Sequence, residues 1–234
     1  MTRERVLVTG AAGFIGAHLV RRLVERGDEV HIVVRPTTRL DRLSGLADRL
    51  AVHRVDLTDA AALARCVAEV APQAVFHLAA ETRSTVQPTF ESARATILEN
   101  QLPLLTLVEA LAALPVSPRV MVRAGTIAEY GATALPFRED KREAPVTPYG
   151  AGMLAGTHYL AMLQDAIPFP VMTARLALVY GEGQSEDFLI PRLIRACLEG
   201  RTTRIDRPED TRDLLHVGDA VNGLLALAAK PLTG

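Results

Sequence analysis

The sequence predicts an α/β domain built on a doubly wound parallel sheet. Three observations carry that expectation. Short apolar runs alternate with amphipathic segments of helical length along the whole chain. A glycine-rich turn joins the first run to the first helix. The 234 residues are enough for one large domain with its own core. Strands separated by helices of this length need right-handed crossovers, which lay the strands parallel and cover both faces of the sheet.

The elements follow in order. Val6–Val8 is the first strand and leads through Thr9 and Gly10 into a helix from Gly13 to Arg26, closed by Gly27-Asp28. Glu29–Val34 and Ala51–Val55 are the next strands, then a helix from Asp59 to Val70 and the strand Ala74–Leu78. A longer helix over Ser92–Ala112 precedes the strand Arg119–Arg123. Tyr149–Gln164 reads as a helix and Val171–Leu178 as the strand after it. Phe188–Glu199 and Asp219–Ala229 read as helices, with short strands at Arg201–Ile205 and Leu214–Val217. This is a Rossmann-type order.

Composition narrows the class. A net charge of −1 and a pI of about 6.6 give no electrostatic reason for a nucleic-acid or membrane partner. Cys66 and Cys197 lie far apart, so neither a disulfide framework nor a metal site is expected. The uncharged stretch from Ala144 to Gln164 holds Pro145, Pro148 and three glycines, and its helical part is too short to span a bilayer. With apolar residues starting at once in a strand-like run, no signal peptide is expected. The protein is read as soluble and cytoplasmic.

The first chemical motif is Gly10-Ala11-Ala12-Gly13-Phe14-Ile15-Gly16. Glycine is needed where the chain turns tightly and where backbone approaches a pyrophosphate whose charge faces a helix N-terminus. The motif follows a strand and opens a helix, the context in which a glycine pattern means nucleotide binding rather than a turn alone.

The spacing Gly-x-x-Gly-x-x-Gly resembles the extended short-chain dehydrogenase/reductase family of nucleotide-sugar epimerases, dehydratases and 4-keto reductases. Further pieces recur in order: Val55-Asp56-Leu57, Phe76 to Ala80, Asn100, Thr126 ahead of Glu129-Tyr130-Gly131, Pro148-Tyr149, Arg175-Leu176, Val179-Tyr180-Gly181 and Arg212 to Val217. The resemblance implies that Asp56 and Leu57 meet an adenine and that Ala79 and Ala80 line the nicotinamide side. Asp56 also reads as a helix cap before Thr58. Arg35 ends the second strand where related NAD enzymes carry an acid, and a guanidinium there suits a 2′-phosphate. Arg39 is a second candidate contact. NADP is therefore expected, with NAD as the second choice.

The family pattern is Tyr-x-x-x-Lys on one helix with a Ser or Thr from the preceding strand. Tyr149 and Thr126 match, but the lysine position holds Met153, and the only lysines are Lys141 and Lys230. A phenol without a neighbouring cation keeps a pKa near or above its free value of about 10. Such a phenol donates a proton readily and is a poor base. The expected reaction is therefore NADPH-dependent reduction of a keto group on a nucleotide-linked 4-keto sugar, with Tyr149 as proton donor. Epimerisation or dehydration of such a sugar is the alternative, and a catalytically inactive dinucleotide-binding sensor or scaffold is the reading from another class. By resemblance, Arg212 would pair with a substrate diphosphate; a salt bridge to Asp213 or a nearby acid is its other reading. Thr82, Arg83 and Ser84 follow the cofactor strand as candidate substrate contacts. Leu178 and Glu182 replace an Asn and a Pro often found in related enzymes, removing one amide contact. His216 is expected as a strand-end residue and Asp219 as a helix cap.

Residues 1–175 are assigned to the dinucleotide-binding domain and 176–234 to a partial substrate lobe interleaved with the last sheet elements. That lobe stops short of the family's usual length. The helix at Tyr149–Gln164 carries no Asp, Glu, Lys or Arg, so it is expected to be covered on two sides. A homodimer through this helix and the one at Ser92–Ala112 is the arrangement the resemblance implies.

Overall fold

The computed structural model describes residues 3–82, 88–205 and 208–230. Strands β1 (Arg5–Thr9), β2 (Glu29–Val34), β3 (Leu50–Arg54), β4 (Ala74–His77), β5 (Val120–Thr126) and β6 (Val171–Leu176) form one sheet in the order β3-β2-β1-β4-β5-β6. Every pairing is parallel. This is the Rossmann-type sheet, with its strand order reversing between β1 and β4.

Alternation along the strands divides the core in two. Val6 and Val8 of β1, with Val120 and Val122 of β5, join one cluster; Leu7 and Met121 between them join the other. Helices α1 (Phe14–Glu25) and α7 (Val217–Ala229) cover the first face through Leu19, Leu23, Val221 and Leu224. Helices α2 (Ala60–Val70), α4 (Leu102–Ala112) and the end of α5 (Pro148–Leu163) cover the second through Leu63, Leu104, Leu107 and Leu160. Thus α7 packs on the main sheet.

Several expectations need correction. The expected strand Val171–Leu178 divides: β6 stays in the main sheet, while β7 (Leu178–Tyr180) pairs in parallel with β8 (Leu214–His216) in a separate two-stranded sheet. Arg201–Ile205 is not a strand. Gly200, at φ +65°, terminates α6 (Leu189–Leu198), and the Arg201 N–H donates back to the Ala196 carbonyl. The single expected helix at Ser92–Ala112 consists of α3 (Phe90–Thr96), a π turn at Ile97–Gln101 and α4. The cap of α7 is His216, whose Nδ1 accepts from the Gly218 N–H; Asp219 lies inside the first turn. A 3₁₀ segment at Asp41–Arg49 was not expected. Among the described residues, no helix is long and apolar enough to cross a membrane.

Candidate active site

At the C-terminal edge of the sheet lies a groove of about 460 Å³. Gly10 and Gly13 line it from the first turn, Arg35 and Arg39 from beyond β2, Asp56 and Leu57 from beyond β3, and Ala79 and Ala80 from beyond β4. Gly10 sits at φ +71°, and a Cβ there would come within 2.5 Å of the Leu78 carbonyl carbon. A Cβ on Gly16 would stand 2.1 Å from the Gly10 carbonyl oxygen, so that glycine lets α1 begin against the turn. The Gly13 N–H donates to the Gly10 carbonyl at 3.0 Å, closing the turn.

Phe14 and Ile15 do not line the groove with their side chains. Ile15 packs against the first core cluster, and the Phe14 ring stands edge-on to His18 with centroids 5.6 Å apart. What they can offer a phosphate is the backbone of the first helical turn.

Asp56 accepts from the Thr58 N–H at 2.9 Å and the Thr58 hydroxyl at 2.7 Å, both on Oδ1. These bonds hold its carboxyl below the usual range, with Arg35 adding to the effect against a small opposing cost of burial. The cap of α2 is Asp59, which accepts from the Ala62 N–H, so the expected capping role of Asp56 is corrected to a local turn. Arg39 pairs with Asp41 at 3.0 Å.

The loop after β4 is fastened from two sides. Thr9 Oγ1 and His77 Nδ1 are 2.8 Å apart, and Thr9 Oγ1 accepts from the Ala79 N–H at 3.4 Å. Asn100, turned inward by the π segment, accepts from the Glu81 N–H at 2.7 Å and donates to the Glu81 carbonyl at 3.3 Å. π turns inserted in α-helices are frequent at functional sites.

Thr126 ends β5, and its Oγ1 accepts from the Ala128 N–H at 3.2 Å. The same hydroxyl is hydrogen-bonded to Tyr149. Tyr149 is the second residue of α5, whose start is fixed by Pro148 and by the Thr147 hydroxyl accepting from the Gly150 N–H. Burial pushes the Tyr149 phenol above its ordinary value; Arg123 opposes that push, Glu129 adds to it, and the Thr126 hydroxyl opposes it.

Met153 is buried. The expectation that Tyr149 has no cation nearby is corrected, because Arg123 of β5 reaches this place. Arg123 Nη2 donates to the Met153 carbonyl at 2.9 Å and lies 3.6 Å from the Met153 sulfur. Arg123 Nη1 donates to the Thr157 hydroxyl at 3.0 Å, which in turn donates to Glu129 Oε2 at 2.7 Å. Arg175 Nε donates to the same Oε2 at 3.0 Å, and Arg175 Nη2 to Glu143 at 2.5 Å. Sequence reasoning missed Arg123, and quoted the fully buried Glu129 only within a family motif, without a role. The available signal was an arginine inside the apolar run Val120-Met121-Val122-Arg123-Ala124.

The candidate substrate contacts are less gathered. Arg212 is exposed, pairing with Asp210 at 2.5 Å and donating to the Thr211 carbonyl at 2.8 Å, so the nearby acid of its salt-bridge reading is Asp210. Thr82 is exposed beside the groove residue Glu81. Arg83 and Ser84 lie outside the described residues. Among the described residues, no group of three or more His, Cys, Asp or Glu side chains could hold a metal ion.

Residues 6–234 match the model of the NAD dependent epimerase/dehydratase family. The UDP-glucose 4-epimerase of Mycolicibacterium smegmatis is 35% identical, the match covering 94% of this chain and 72% of that protein. The dTDP-glucose 4,6-dehydratase of Neisseria gonorrhoeae is 31% identical, covering 99% and 71%. Among solved structures, MoeE5 in complex with UDP-glucose and NAD has a TM-score of 0.79 at 35% identity, covering 96% of this chain and 71% of that one. The UDP-glucuronic acid 4-epimerase of Bacillus cereus, in complex with UDP-glucuronic acid and NAD, has a TM-score of 0.82 at 25% identity, covering 97% and 74%.

Proposed function

The chain belongs to the NAD-dependent epimerase/dehydratase family of extended short-chain dehydrogenase/reductase enzymes, and from that premise we propose that it is a nucleotide-sugar 4-epimerase. The observation that carries this reading is Tyr149 bonded to the Thr126 hydroxyl, with the Arg123 guanidinium seated on Met153 one turn further along α5. The sequence-based preference for a keto-sugar reductase rested on a phenol without a cation. Arg123 removes that premise, and the relatives named above are epimerases and a dehydratase.

The groove fits a nicotinamide dinucleotide. Its cradle admits no Cβ at Gly10, and α1 presents its N-terminus there. Asp56, Leu57, Ala79 and Ala80 line the groove and would form its adenine and nicotinamide walls. The bound dinucleotide supplies the hydride acceptor and donor. Tyr149 removes the proton from the sugar hydroxyl that is oxidised and returns it when the ketone is reduced on the other face. The Thr126 hydroxyl, bonded to Tyr149, would hold the same oxygen by a hydrogen bond. No cofactor is consumed over the cycle.

Dehydration is the second reading. It needs a further acid and base to remove a proton and expel water. The residues after Thr126 are Ile127 and Ala128, and Glu129 is fully buried and committed to Arg175 and Thr157. That arrangement favours epimerisation.

Two finer points belong to the same proposal. MoeE5 and the Bacillus cereus enzyme hold NAD, whereas Arg35 at the ribose end of this groove favours the additional phosphate of NADP. A homodimer through α5 and the α3–α4 helix is supported by the exposed Phe90, Ile97, Tyr159 and Met162 on these helices. The deciding experiment incubates the protein with UDP-glucose and either dinucleotide and follows the sugar by NMR. The expected result is the C4 epimer without net change in the dinucleotide, and a loss of turnover of about 100-fold or more in Tyr149→Phe. Stoichiometric oxidation of NADPH by a keto sugar, with no epimer formed, would overturn the reading.

A further inference from the structure

The reaction proposed above asks Tyr149 to act as a base, and a phenol does so near neutral pH only beside a positive charge. In the family pattern that charge stands four residues later on the same helix, where this chain has Met153. The structure brings a guanidinium to the same place from a different element. Arg123 lies on β5, in register with His77 of β4 and Thr173 of β6, and is only 2% exposed. Its Nη2 is held by the Met153 carbonyl and touches the Met153 sulfur, and its Nη1 is held by Thr157.

The room for it is built into α5. A Cβ at Gly156 would lie 2.7 Å from Arg123 Nη2 and 3.0 Å from Cζ, so any larger residue there would displace the guanidinium. Met153 lacks a charge that would repel it, and the thioether packs against it. Glycine at 156, methionine at 153 and arginine at 123 therefore form one mutually fitted set.

We propose that Arg123 is the positioning cation of the Tyr149 site, performing from β5 the task that a lysine on the helix performs in the family pattern. This rests on the epimerase reading for its use but not for its test. Among the described residues, the charged and titratable groups around the pair are few. Glu129 faces it from the 3₁₀ turn after β5, Arg175 from β6 and Glu143 from the loop before α5; His77 faces it from β4 and is neutral. The π turn brings the uncharged Gln101 to this face. Glu129 is already bonded to Arg175, which leaves Arg123 as the cation opposing the burial of the phenol.

The test is a spectroscopic titration of phenolate in the whole chain without substrate, taken as the difference between the protein and its Tyr149→Phe variant. Arg123→Gln keeps a donor for the Met153 carbonyl and removes the charge. It is expected to raise the apparent pKa of Tyr149 by about one unit or more, and Arg123→Gln with Met153→Lys to bring it back down. A folded Arg123→Gln protein with an unmoved Tyr149 titration would overturn the proposal. Should that variant not fold, Gly156→Ala decides the matter, since it forces the guanidinium from its seat at constant charge: an upward shift supports the proposal, and an unmoved titration overturns it. Because no sugar is present, this outcome is independent of whether UDP-glucose is turned over. An active epimerase with an unmoved phenol refutes Arg123 alone, and an inactive protein with a shifted phenol refutes the epimerase reading alone.

Discussion

His77 shows at the scale of one side chain how the site imposes a pH dependence on the fold. Burial, assisted by Arg123, holds its imidazole neutral down to about 3, against 6.5 when unperturbed. The unfolded chain therefore takes up the proton first as pH falls. Stability is full above about 6.5 and declines between there and about 3, by up to about 1.4 kcal/mol per pH unit. His77→Gln is expected to melt lower at pH 7 but to lose less Tm than the parent between pH 7 and pH 4, measured by circular dichroism; equal losses would show that His77 is not the titrating group. The glycines of the first turn were legible from a local pattern with a local cause, whereas Asp56, Thr126 and Tyr149 were singled out through motifs that resemble a known family. Arg123 was not. A charged residue in an apolar run reads equally as a strand end or as a buried ion, and its partners Met153 and Thr157 lie about 30 positions further along the chain.

Among the elements, α5 is the one whose neighbours set its sequence. A Cβ on Gly152 would stand 1.8 Å from the Thr96 Cγ2 of α3, so the two helices meet at a distance only glycine permits. Gly152→Ala is expected to lower stability by roughly 1–3 kcal/mol, although alanine is the better helix former. Gly223→Ala on α7, where nothing lies within 4 Å of the added carbon, is expected to be neutral or to stabilise by up to about 1 kcal/mol. Chemical denaturation of both variants checks the contrast in sign. The limits of α5 were legible from Thr147, Pro148 and the absence of charge. The π turn was not, because one residue of slip leaves the apolar periodicity of 92–112 almost unchanged, while the inward turn of Asn100 depends on the Glu81 backbone it meets.

For the whole molecule, the regular alternation of strands and helices made the parallel sheet legible from end to end. The small β7–β8 sheet was not, since it pairs segments more than thirty residues apart, and a run read as one strand over Val171–Leu178 gives no sign that its end leaves the main sheet. The apolar surface of α3–α4 and α5 bears on assembly: Phe90 is 89% and Met162 66% exposed. Sedimentation is expected to give a dimer mass at micromolar concentration, and Met162→Glu to shift it toward the monomer; a monomer mass at all concentrations would sink the assembly. The seating of a guanidinium in place of an ammonium also bears on chemical reagents. Amine-directed acylating agents find only Lys141 and Lys230 among the side chains, and Lys141 is engaged with the Ala134 and Pro136 carbonyls. Arg123, on an interior strand, is equally hidden from dicarbonyls. An amine-directed reagent that silences relatives built on a helix lysine would leave this chain working, and so distinguish it from them in a mixture.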